Sequence, residues 1–190
     1  MSATVAAKGM GLELVRLLAA LAWVTATAAV GLAVLGAAPG WILGERRDVR
    51  LVASVDEAER VLGARLAIPT FFPSSLAWPP TSVRVAGGRG GGAELVFVRR
   101  SDGRPAVVLQ QSTTPGEPIP APLAAGRTEL TTSRTTVGPR PAVRSRVLVE
   151  GEPWEELAWE RDGRRLVLRT RGDLEELFRM AHSAHREGKP

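Results

Sequence analysis

Residues 17–38, LLAALAWVTATAAVGLAVLGAA, carry no charged side chain. A helix of this length rises about 33 Å, enough to cross the hydrocarbon core of a bilayer. Its backbone polar groups would bond to one another, as lipid demands. Pro39-Gly40 then breaks the helix, Trp41 falls where an indole lies at the membrane interface, and Arg46, Arg47 and Arg50 follow in water. The stretch predicts a transmembrane anchor over residues 17–43, behind a short cytoplasmic tail (1–16) and ahead of a polar linker (44–53). Two other readings compete. A signal peptide cleaved after Ala26-Thr27-Ala28 would have an apolar core longer than the usual ~7–15 residues. The other is a buried helix of a soluble protein, but this segment is apolar on all faces, which such a helix shows only in the core of a large protein. Lysine and arginine flank the stretch on both sides, so charge alone does not orient it.

Residues 54–190 are the size of one domain, long enough for a hydrophobic core without covalent staples. The chain has no cysteine, which excludes disulfides, thiolate metal sites and thiol nucleophiles. Net charge is +5, and almost every basic residue is arginine. Beyond residue 50 the signs are mixed, without the basic face or helix of a nucleic-acid binder. No nucleic-acid partner is expected.

Local patterns divide this region into short elements. Ser54 followed by Glu57 is a capping box, and Val55, Ala58, Val61 and Leu62 form an apolar stripe at helical spacing. Residues 66–80 hold four prolines and read as irregular chain, with Phe71, Phe72, Leu76 and Trp78 packing it onto a sheet. Strand patterns follow at Val83–Val85, Ala93–Arg99, Ala106–Gln111, Thr128–Val137, Val143–Val149, Trp154–Glu160 and Arg164–Thr170. The run GGRGGG (87–92) and the pair Asp162-Gly163 read as turns. A final helix begins near Asp173, with Leu174, Leu177, Phe178 and Ala181 on its buried stripe. The fold class expected is α+β: an N-terminal transmembrane helix, then an antiparallel meander sheet of about six strands with helices packed on one face.

In this order the chain resembles a bacterial family. It is a domain of unknown function at the extracytoplasmic C-terminus of membrane-anchored proteins, some anti-sigma-factor-like and some sporulation-associated. The pieces that carry the resemblance are Ile68-Pro69 and Phe72-Pro73, then Leu157-Ala158-Trp159, Asp162-Gly163, Leu166-x-Leu168 and Asp173 to Ala181. It spans about residues 54–186. The resemblance implies an extracytoplasmic location for the C-terminal domain, and it transfers no catalytic residue. The chain departs from the regulatory members in its short tail and in lacking a zinc-binding anti-sigma domain, which argues against direct sigma-factor binding.

Candidate chemistry is sparse. His182 and His185 stand three apart on a helix, a chelating spacing without an evident third ligand. No G-x-S-x-G occurs, and GGRGGG lacks the Lys-Ser/Thr of a phosphate loop. Glu155 and Glu156 are neighbours on a strand, so they point to opposite faces, and both read as solvated charge. No catalytic residue, metal or cofactor is expected. One face remains as a candidate apolar ligand site or core: Leu95, Phe97, Leu157, Trp159, Leu166 and Leu168. The expected function is a membrane-anchored extracytoplasmic binding, sensory or scaffold domain, with another envelope or membrane protein as its partner. The alternative is a lipid- or hydrophobic-ligand carrier, which would need a cavity between that face and the helices.

Overall fold

A computed structural model describes residues 49–87 and 90–184. Its elements, in chain order, are β1 (Val49–Val52), α1 (Val55–Leu62), β2 (Ser82–Ala86), β3 (Gly92–Val98), β4 (Pro105–Ser112) and α2 (Ala121–Ala124). They continue with β5 (Arg127–Val137), β6 (Arg140–Val149), β7 (Glu152–Arg161), β8 (Arg164–Thr170) and α3 (Leu174–Ser183). The strands form one antiparallel sheet in the order β1-β2-β3-β4-β8-β7-β6-β5.

Alternate side chains sort onto two faces. On the front face one apolar row crosses five strands in register: Val83, Leu95, Leu109, Leu168 and Leu157. All five are buried, and each such side chain is worth roughly 1.5–3 kcal/mol in the core. Helices α1 and α3 close this face, burying Ala58 from one and Leu177, Met180 and Ala181 from the other. Ser54 caps α1 as its sequence predicts, its Oγ accepting from the Glu57 N–H at 3.1 Å. Glu57 returns to accept from the Ala53 N–H at 2.8 Å.

The back face is covered differently. The chain leaving β4 passes the β7–β8 turn, where the Gly116 N–H donates to the Gly163 carbonyl at 2.8 Å. It then lays Pro120 and the single turn α2 on the back of the sheet. Gly92 makes this possible: a Cβ there would meet Pro120 Cδ at 2.6 Å and the Gln111 carbonyl oxygen at 2.8 Å.

The expected architecture is corrected in several respects. Among the described residues no helix is long and apolar enough to cross a membrane. Residues 17–43, where a transmembrane helix is expected, lie outside the described residues, as does the tail 1–16. The sheet has eight strands rather than about six. Val49–Val52 falls in the stretch expected to be linker. It is an edge strand of sequence VRLV with only Val52 buried, and pairing with β2 creates it. The sheet is also not a single meander. Strand β8 inserts beside β4 and sets Leu168 against Leu109, while the exposed, threonine-rich β5 takes the far edge. Finally, α2 sits on the face opposite the two longer helices.

Candidate functional site

A groove of 860 Å³ opens between the irregular chain after α1 and the β7–β8 hairpin. Its deepest residues are Leu66, Gln111 and Leu166, all nearly buried. Pro69 is buried as well, and the more exposed Ile68, Phe72 and Trp78 complete the apolar lining. Charged side chains make the rim: Glu59, Arg65, Arg161, Asp162 and Arg164.

The irregular wall is held by polar bonds that its prolines cannot provide. Gln111 on β4 grips Ala67 from both sides, accepting from its N–H at 2.8 Å and donating to its carbonyl at 3.3 Å. Glu59 accepts from the Leu66 N–H at 2.9 Å. The Phe71 N–H donates to Ser183 Oγ at 3.0 Å, and the Arg179 guanidinium lies 4.0 Å over the Phe71 ring. Trp78 stacks on the buried Phe97 with ring centroids 6.0 Å apart and touches Phe72 at 5.2 Å. One side of its indole is therefore anchored, yet the residue stays 52% exposed.

The opposite wall is the hairpin tip. Asp162 and Gly163 both have positive φ, 51° and 74°, the geometry of a two-residue hairpin turn. Arg164 reaches across to donate to the Arg65 carbonyl at 3.1 Å, tying the two walls together. Arg161 donates to the Ala184 carbonyl at 2.6 Å.

The six residues expected to form an apolar face do share one face. Leu95, Phe97, Leu157, Trp159, Leu166 and Leu168 are each at most 2% exposed and belong to the core. Only Leu166 among them lines the groove. His182 ends α3 beside the β5–β6 turn, its ring close to Gly138, and His185 lies outside the described residues. Among the described residues no three His, Asp or Glu side chains gather as metal ligands.

A second feature was not anticipated from the sequence: a chain of buried charges on the back face. Arg84 pairs with Glu94, Nε to Oε1 at 2.7 Å, and the other Glu94 oxygen accepts from Gln110 Nε2 at 2.8 Å. Gln110 also donates to the Leu123 carbonyl and accepts from Arg169 Nη2 at 2.8 Å. Arg169 Nε then donates to Glu156 Oε2 at 2.6 Å, and Arg127 Nη1 to Glu156 Oε1 at 2.5 Å. The expectation that Glu156 is solvated is corrected, since it is 2% exposed. Its neighbour Glu155 does face the other way, as strand geometry requires, and pairs with Arg144 and Arg146. The back-face network lines a smaller pocket of 400 Å³ with Glu117 and Arg165. All four oxygens of Glu94 and Glu156 already accept hydrogen bonds from the protein, so the network joins strands rather than offering a free base.

Comparison with protein families, with curated proteins and with solved structures found no match.

Proposed function

We propose that this chain is a non-catalytic binding protein whose groove takes an apolar polypeptide segment with an acidic flank. The observation that carries the reading is the half-exposed Trp78, anchored on Phe97 at the mouth of a groove whose depth is apolar and whose rim is mixed. Aromatic side chains held rigid on one side and open on the other are what binding hot spots use. Arg65 is paired with Glu59 and Arg161 with Asp162, which leaves Arg164 as the surplus rim cation and favours an acidic residue beside the apolar ones. An acyl-chain carrier would need space between the sheet and its helices. The six core residues fill that space, which supports the peptide reading over the lipid one. A location at a membrane rests on the uncharged stretch 17–38 of the sequence, and the placement of the domain outside the cytoplasm rests on the family resemblance of residues 54–186.

The test is selection from a displayed peptide library on the full chain and on its Trp78→Ala and Leu66→Asp variants. Enrichment of apolar peptides bearing Asp or Glu, lost with both variants while the fold persists, supports the proposal. A library that shows no enrichment on the intact protein sinks it. For location, a reporter active only outside the cytoplasm, fused after Pro190, should be active. Activity of a cytoplasm-only reporter instead would reverse the proposed orientation.

A further inference from the structure

Strand β5 is the edge of the sheet, eleven residues long and exposed along nearly its whole length. Edges of this kind are usually short, interrupted by proline or guarded by lysine. β5 has no proline and no lysine, and five of its residues are threonine, a strong strand former. Leu130, 49% exposed, projects at a bulge where the register with β6 slips between Glu129 and Thr131.

That bulge changes which side chains share a face. Glu129 and Arg134 are five apart, a separation that puts residues of a regular strand on opposite faces. Here Glu129 pairs with Val147 and Arg134 with Val143, positions four apart on β6. Both charges therefore lie on the back face. Both are exposed, and among the described residues neither side chain has a hydrogen-bond or ion-pair partner.

We infer that two copies of this chain associate through β5, paired antiparallel about a two-fold axis at Thr132, which lies two ladder positions from both Glu129 and Arg134 because of the bulge. This arrangement sets Glu129 of each copy opposite Arg134 of the other, on the same face, giving two cross-strand ion pairs from one sequence relationship. It aligns residues 127–136 of each copy and satisfies edge amides and carbonyls along that span. The neighbouring register centred on Arg134 would set that arginine against itself, and like charges directly opposed are unfavourable. Isologous pairing needs a self-complementary edge, and the Glu129–Arg134 relationship supplies one.

The test uses the full chain, in mild detergent if it requires it, with sedimentation at micromolar concentrations. The wild type should be a dimer. Glu129→Arg and Arg134→Glu should each weaken association by about tenfold or more, since two attractive pairs become two repulsive ones. The double exchange, Glu129→Arg with Arg134→Glu, should restore it. Both residues are exposed and unpaired, so circular dichroism should show every variant folded. Because the chain has no cysteine, Thr128→Cys with Thr135→Cys should form an intermolecular disulfide under mild oxidation, while Leu51→Cys on the other edge should not. A monomeric wild type, a dimer indifferent to both single reversals, or a double exchange that fails to restore pairing would each overturn the inference.

Discussion

Arg169 on β8 donates from Nε to Glu156 Oε2 on β7 at 2.6 Å, with both side chains at most 5% exposed. The two residues are direct cross-strand partners on the back face. Burying either ion alone is costly, and the pair is tolerated because Gln110 and Arg127 satisfy the remaining atoms. Removing one member leaves the other charged and dry. Glu156→Ala and Arg169→Ala should each destabilise the domain by about 3–5 kcal/mol in urea unfolding. The double change Glu156→Leu with Arg169→Met should cost far less than the sum of the two. Additive losses would mean that the ions do not depend on each other.

Gly92 makes a prediction about space. A methyl group there meets the ring of Pro120 and a carbonyl of β4, and the carbonyl belongs to a paired strand that cannot give way. Gly92→Ala should therefore cost about 1–3 kcal/mol. Gly87→Ala, which meets nothing within 4 Å, should stay within about 0.5 kcal/mol of the parent. Equal effects at the two positions would show that the cover over the back face is not close-packed.

Glu155 predicts a pH dependence. Burial raises its carboxyl, but hydrogen bonds from Arg146 and Arg144 and their charges outweigh this, so it sits below the usual range. A carboxylate lowered on folding stabilises the protein above its unfolded value of about 4.3, and this contribution is lost as pH falls through the folded value. The stability difference between the parent and Glu155→Gln should thus be present at neutral pH and shrink below about pH 4. A difference that does not change across that range would remove Glu155 from the acid response.

Phe97 and Trp78 touch but should answer differently. Phe97 is wholly buried, and Phe97→Ala should cost about 3–5 kcal/mol of stability. Trp78 is half exposed, so Trp78→Ala should cost clearly less while removing the open aromatic face of the groove. Calorimetry of the two variants checks the stability difference. Equal losses would make Trp78 a core residue and weaken the case for the groove.

Much of the local structure was legible because its causes are local. Ser54 and Glu57 cap a helix through atoms three residues apart, and Asp162-Gly163 adopts positive φ regardless of what surrounds it. The alternation in Leu166-x-Leu168 and Leu157-x-Trp159 announced a buried face, and these residues do meet there. The groove was less visible. Trp78 and Phe72 could be read as packing residues, but the exposed half of Trp78 depends on where the hairpin tip comes to rest. One of the back-face charges did carry a signal, overlooked in a reading that assigned isolated acids to water. Glu94 falls in a strand that is otherwise apolar on both faces, where a solvated position is hard to find, whereas Gln110, Glu156 and Arg169 lie in strands with other polar residues.

What the sequence determined by itself was the set of elements that depend on neighbours along the chain: caps, hairpin turns and the two-residue alternation of the central strands. Only the tertiary structure decided that β8 lies beside β4, that residues 49–52 become a strand, and that Glu156 is buried against Arg169. Each of these depends on partners far away in sequence. Strand propensity and charge are properties of single residues, whereas register, edge position and burial are properties of the pairings that the whole sheet selects.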